Sequence, residues 1–193
     1  MVKDLRERTS AGVLDCKRAL EQAMGDMEKA IVILRQQGLA SAAKKATRVA
    51  REGLVEAYVH PGAKVATLVE VNCESDFVAR TAEFRGLAHD LALQVAAAKP
   101  LYVAIDDVPA EVVAAQRGLY EAQLAEENEP EQARESIVQD KLAKFYEQVC
   151  LLEQPFIKDE GVQVSDLINQ NIARLGENIV VRRFARFAIG EEE

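Results

Sequence analysis

The stretch VATLVEVNCESDFVARTAEFRGLAHDL, residues 65–91, holds the change of period on which the fold turns. Up to Asn72 the small and apolar residues Val65, Thr67, Val69 and Val71 recur at every second position, as in a strand with one covered face. Further on the repeat is helical. Phe84, Leu87, Ala88, Leu91 and Val95 fall on one side of a helix predicted over about residues 77–98. Cys73-Glu74-Ser75-Asp76 lies between the two patterns. Asp76 reads as the helix N-cap, its carboxylate placed to accept a free amide of the first turn. Phe77 precedes Phe84 by two helical turns, so the period makes it the first rung of the core stripe. A second reading has the stripe overrun the core at the helix entrance. Phe77 then stands exposed beside a carboxylate, as an anchor for a pocket on a partner. The period leaves both readings open.

Working outward, GLVEAYVH (53–60) alternates through Val55, Ala57 and Val59, and Pro61-Gly62 turns it back into the strand at 65, so the two form a hairpin. The closing stretch ENIVVRRFARFAIG (177–190) reads as a third, antiparallel strand. Strict alternation sets Val181, Arg183, Ala185 and Phe187 on one face and Arg182, Phe184, Arg186 and Ala188 on the other. Between hairpin and closing strand, Pro109 opens a helix reaching about Glu127. ENEPEQ (127–132) is a loop, and a further helix runs to about Glu147 with Val138, Leu142, Phe145 and Val149 in stripe. These two make a helical hairpin. LYVAI (101–105) is an apolar connector. SDLINQNIARLG (165–176) is a short helix with Ser165 as cap and Gly176 as stop.

Before Gly53 the pattern is helical throughout. VKDLRER (2–8) is one or two turns. Gly12 opens a helix carrying Val13, Leu14, Lys17, Ala19, Leu20 and Ala23. Asp26 caps MEKAIVILRQQ, with Met27, Ala30, Ile31 and Leu34 on one face and Gly38 as C-cap. LASAAKKATRVARE (39–52) is a fourth helical segment leading away. Helices this short are marginal alone, so the first three are expected to pack as one unit. The fold class expected is α+β: an N-terminal three-helix domain with its connecting helix over residues 1–52, then a core over 53–193 with a small antiparallel three-stranded sheet packed with helices and a helical hairpin.

Composition bounds the partners. The chain has 193 residues, 49% of them apolar, enough for a sizeable core. Its net charge of −8 and pI near 5.0 disfavour nucleic acid and anionic membranes as partners of the whole surface. Three separated cysteines, Cys16, Cys73 and Cys150, with no CxxC pair, suit a reducing compartment. No apolar run resembles a signal peptide or approaches a membrane span, and a cytoplasmic location is expected.

Little in the sequence points to covalent chemistry. There is no phosphate-binding glycine loop, and no cofactor is expected. His60 and His89 have no ligand at metal spacing, so no metal site is expected either. Cys73 precedes a helix N-terminus, which favours a thiolate, but no histidine neighbours it; a packed strand-end thiol is the plainer reading. The basic run KKATRVAR (44–51) offers an alternative function, contact with RNA or the ribosome. By subtraction, the protein works through its surface and no catalytic residue is assigned.

Four stretches together resemble the elongation factor Ts family, the guanine-nucleotide exchange factors of elongation factor Tu: LRERTSAGVLDCKRAL (5–20), VNCESDFVAR (71–80), CLLEQPFIKD (150–159) and LGENIVVRRFARF (175–187). Their order and spacing match along nearly the whole chain. The resemblance implies a ubiquitin-associated-like N-terminal domain and a protein that is not an enzyme but binds elongation factor Tu, both GDP-bound and nucleotide-free. It implies that Ser75, Asp76, Phe77 and Val78 enter the partner's nucleotide domain near its Mg²⁺ and dislodge the ion, GTP later displacing the factor. Serine here replaces the family's usual threonine. It further implies a second contact through Arg6, Arg8, Thr9, Gly12, Val13 and Leu14, in which one of the adjacent apolar pair is expected to be exposed. Longer family members carry a second core unit, so a homodimer is expected here to supply the second copy. Its interface is expected at Cys150-Leu151-Leu152 and Pro155-Phe156-Ile157, or at an edge of the sheet.

Overall fold

A computed structural model describes residues 1–9, 11–127 and 130–191. The chain is α+β, and its N-terminal helices are consistent with a ubiquitin-associated-like unit. Helices α1 (Val2–Thr9), α2 (Val13–Gln22) and α3 (Met27–Lys45) come first. They enclose Leu5, Cys16, Ala19, Leu20, Ala23 and Ala30, with Met27, Ile31 and Leu34 packed around them. Asp26 caps α3 as expected, accepting the Lys29 N–H at 3.1 Å.

Gly38, read as a C-cap, lies inside α3, and the separate helix expected over 39–52 does not exist. The helix continues because its second half has a partner. Ala42 is buried in the main core, and Lys45 donates to the Ile172 carbonyl at 3.4 Å. α3 ends at Lys45, and strand β1 (Glu52–Val59) already starts before Gly53.

β1, β2 (Val65–Cys73) and β5 (Val180–Ala188) form one antiparallel sheet in the order β1-β2-β5. Central β2 buries Thr67, Val69, Val71 and Cys73 against helix α5 (Ala82–Ala98). On β1 it is Leu54 and Tyr58 that pack inward, while Val55 and Val59 face solvent. The strict alternation read for β5 fails. Glu70 pairs with Arg183 but Val71 pairs with Val181, so Arg182 is the extra residue of a bulge. That slip moves Val181 to the buried face, while Phe187 stays outside.

The helix expected over 77–98 is also broken. Asp76–Ala79 form a single turn, α4, and Thr81 restarts the chain as α5. Its hydroxyl donates to the Val78 carbonyl at 2.8 Å and accepts the Phe84 N–H at 3.2 Å, closing one helix and capping the next. Phe84, Leu87, Ala88, Leu91 and Val95 form the expected buried stripe, but Phe77 falls out of phase with it.

Helices α6 (Ala110–Glu126) and α7 (Glu131–Val149) enclose a small core of Leu124, Val138 and Leu142. The expected 127–132 loop lies partly outside the described residues. Tyr102 bridges Cys150 in parallel, which gives the LYVAI connector a fixed place. A second, unforeseen hairpin pairs β3 (Pro155–Phe156) with β4 (Asp159–Gln163). β4 runs directly into α8 (Val164–Leu175), so Gln163 rather than Ser165 holds the cap position. Gly176 stops α8 in the left-handed region (φ 82°), as expected. Of the expected interface residues, Cys150, Leu151 and Phe156 are buried within their own chain and cannot contribute, Leu152 is half-buried, and Pro155 and Ile157 are exposed.

Gly53 is the tightest backbone contact. Its φ is +145°, and an added Cβ would stand 2.1 Å from the Val71 carbonyl oxygen. Gly53→Ala should therefore cost at least about 2 kcal/mol, through strain and displacement of β2. Urea unfolding measures it, and a midpoint equal to wild type would contradict the geometry.

Candidate functional site

The turn that leaves β2 is built by capping. At Cys73 the strand ends, and the next amides, of Glu74 and Ser75, have no strand partner. Both are taken by one carboxylate: Glu177 Oε2 accepts the Glu74 N–H at 3.0 Å and the Ser75 N–H at 2.9 Å. Its Oε1 accepts the Ser75 hydroxyl at 2.6 Å. Ser75 Oγ also accepts the Val78 N–H at 3.4 Å, so Ser75, not Asp76, is the N-cap of α4. The bonding runs both ways. Glu74 Oε1 accepts the Asn178 N–H at 2.6 Å and lies 3.6 Å from Arg48. The buried Asn178 side chain donates to the Arg48 carbonyl at 2.8 Å.

The four residues read as the site then separate by burial. Val78 packs into the main core beside Ala79. Ser75 is half-buried in the capping network. Asp76 is exposed and paired with Arg80, whose Nε lies 3.2 Å from its carboxylate. Phe77 is 81% exposed. The break at Thr81 is what ejects it: in a continuous helix it would share the face of Phe84. The core-rung reading is therefore corrected: the ring is exposed and takes no part in the buried stripe.

The second cluster sits at the start of α2. Gly12 precedes the helix, and Val13 and Leu14 are 53% and 67% exposed, so both of the pair face solvent rather than one. Arg8 pairs with Glu28 at 2.9 Å, Arg6 is exposed, and the Thr9 hydroxyl donates to the Leu5 carbonyl at 2.7 Å. The turn from Thr9 to Gly12 passes through residue 10, outside the described residues. Buried Cys16 anchors it from below through a 3.7 Å contact to the Ala11 carbonyl.

Sequence reasoning missed Glu74, Glu177, Asn178 and Arg48. The available signal was a glutamate directly after the helix-stopping glycine, in LGEN. The other candidates settle differently. Cys73 is buried, and burial, followed by the Glu177 charge, pushes its thiol pKa up, away from nucleophilic use. His89 Nδ1 meets Glu56 at 2.9 Å, and no three metal-ligating side chains cluster among the described residues. Two of the basic groups of 44–51 are engaged inside the chain, Lys45 with Ser41 and Ile172 and Arg48 with Glu74. No helix among the described residues is long and apolar enough to cross a membrane.

The family profile described as "Elongation factor TS" matches residues 40–191. The chain is similar to the elongation factor Ts of Carboxydothermus hydrogenoformans, 59% identical over 191 residues, covering 99% of this chain and 88% of that one. It is 59% identical to that of Moorella thermoacetica, covering 98% and 94%. With that of Syntrophomonas wolfei it shares 55% identity, over 99% and 89%.

The buried Cys150 thiol carries a pH dependence. Burial, followed by Glu153 and Asp107, pushes Cys150 up to about 11. An unfolded thiol ionises near 8.5, so the folded state keeps a proton that the unfolded state loses. The resulting stabilisation is fully present below about pH 8.5 and is lost as pH rises through 11. Melting temperatures from pH 8 to 11 should fall, and Cys150→Ala should flatten that fall. An unchanged slope in the variant would remove Cys150 as its source.

Proposed function

The chain belongs to the elongation factor Ts family, and we propose that it is a translation factor that exchanges guanine nucleotide on the GTPase elongation factor Tu. It binds the GDP-bound and nucleotide-free forms, in the cytoplasm, and changes no covalent bond. The observation that carries this reading is Phe77. A large apolar ring 81% exposed on a capped turn contributes nothing to its own core and suits a pocket on a partner. Asp76 stands beside it as an exposed carboxylate.

The mechanism is coupling between two ligands. Mg²⁺ bridges nucleotide phosphates to a GTPase of this kind. A ring and a carboxylate driven in beside that ion displace the groups that hold it, and GDP loses much of its grip. Whatever binds the empty GTPase more tightly than the filled one weakens nucleotide by the same factor. A thousandfold weakening requires about 4 kcal/mol of differential binding, within reach of a few buried contacts. GTP then enters and expels the factor. In this reading the chain divides near residue 53, and Val13 and Leu14, with Arg6, Arg8, Thr9 and Gly12, form a second contact that holds the partner while Phe77 acts.

We also assign a homodimer, with its interface on the outer face of the sheet. Among the described residues, helices cover one side of it. On the other, Ala57, Leu68 and Ala185 pair in one row and Val59, Ala66 and Phe187 in the next. Val55, Val59, Leu68 and Phe187 are exposed there beside the Glu70–Arg183 pair, 2.8 Å apart. A face of apolar rows with one charge pair is self-complementary under a two-fold axis.

Two measurements check these statements. Stopped-flow release of labelled GDP from elongation factor Tu should be fast with wild type. With Phe77→Ala it should be slower by at least about tenfold, while stability changes by less than about 0.5 kcal/mol, because the ring is exposed. Equal rates for both proteins would end the anchor reading. Light scattering at micromolar concentration should give the dimer mass, and Phe187→Glu should shift it toward monomer. A wild type monomeric throughout would remove the assembly.

A further inference from the structure

α4 is too short to hold its own orientation. A single four-residue turn gains little from its own hydrogen bonds. Val78 and Ala79 pin it to the core from below, and Thr81 closes its end. What remains is a turn of the planar Glu74–Ser75 peptide about the backbone dihedrals on either side of it. Any such rotation sweeps the Phe77 ring across the surface, because the ring projects from the first turn. The groups that stop this rotation are the two amides and the hydroxyl bound by Glu177. Glu177 is itself set by the left-handed Gly176 on one side and the buried Asn178 on the other.

We propose that Glu177 is a positioning residue: by fixing the Glu74–Ser75 turn through three hydrogen bonds, it aims the exposed Phe77 side chain. The inference rests on the exchange reading above. It separates two jobs. Phe77 makes the contact; Glu177 never touches the partner's nucleotide site, yet sets whether that contact is productive. The bonding also predicts which substitutions matter. A glutamine at 177 keeps an oxygen for the two amides and can donate its NH₂ to the Ser75 oxygen, so the turn survives without the charge. An alanine leaves all three groups without that partner.

The test uses full-length wild type, Glu177→Gln, Glu177→Ala, Phe77→Ala and the Phe77→Ala/Glu177→Ala double variant. Amide hydrogen exchange reads the turn without any partner. Glu74 and Ser75 should lose protection in Glu177→Ala and keep it in Glu177→Gln, a comparison that holds even if the alanine variant melts earlier. In stopped-flow GDP release, Glu177→Ala should lower the saturating rate by about tenfold or more, as misplacement of a contact group does, with a much smaller change in half-saturating concentration. Glu177→Gln should restore the rate. In the Phe77→Ala background, Glu177→Ala should change the rate no further, because the group it aims is gone. An equal fold-loss in both backgrounds, or full speed in Glu177→Ala with its turn unprotected, overturns the positioning role and leaves the exchange reading standing. Wild type that fails to accelerate GDP release overturns the exchange reading and, with it, any role of the turn in exchange; the hydrogen-exchange result then still decides whether Glu177 orders the turn.

Discussion

A carboxylate that must satisfy the end of a strand governs this molecule. Central β2 is paired with β1 up to Cys73 and with β5 up to Asn72, and then its neighbours stop. The peptide amides that follow are half-buried, and leaving such groups unpaired is costly. Glu177 answers them from the far end of the chain, at the point where α8 gives way to β5. One interaction therefore closes the sheet, joins the two ends of the core and sets the direction in which the chain emerges at α4. Asn178 extends the junction to the Arg48 carbonyl, so the segment entering β1 is tied to the same place.

The elements legible in the sequence are those whose signal is local. The β1–β2 hairpin follows from alternation and Pro61-Gly62, α5 from the Phe84–Val95 stripe, and the end of α8 from Gly176. The errors share a cause. Gly38 looked like a stop because nothing local announces that α8 will support the other side of α3. Thr81 looked like an ordinary helical residue because its capping role appears only when the chain bends there. The slip at Arg182 depends on how Glu70 and Val71 pair, which one strand cannot disclose. For the candidate site, the Ser75–Val78 block was findable as a motif, but the period assigned Phe77 equally well to the core. Glu177 was beyond local reasoning altogether: its partners lie about a hundred residues earlier, and only the fold brings them within 3 Å.

The sheet divides the core's tasks between its two faces. Toward α5 it buries Thr67, Val69 and Val71, with the Thr67 hydroxyl donating to the Ala92 carbonyl at 3.0 Å. Away from α5 it carries apolar rows in which Val55, Val59, Leu68 and Phe187 stay exposed. The bulge at Arg182 keeps both arrangements compatible. It returns Val181 to the inside while leaving Arg183 opposite Glu70 and Phe187 outside. Without the extra residue, one of the two faces would be out of register with β2.

α3 belongs to two cores at once. Ala30 is buried among the N-terminal helices, and Ala42 is buried in the main core. Arg35 on the same helix pairs with Asp166 of α8. The surface at Val13 and Leu14 is thus joined to the rest of the molecule by a rod rather than a tether, roughly 18 Å of helix between the two alanines. A rod fixes angle as well as distance. One residue added between Ala30 and Ala42 would turn the N-terminal helices by about 100° and advance them by about 1.5 Å, while leaving Val13, Leu14 and Phe77 themselves unchanged. The length of α3 works as a gauge: it sets the distance and angle between the exposed Val13–Leu14 surface and the exposed Phe77.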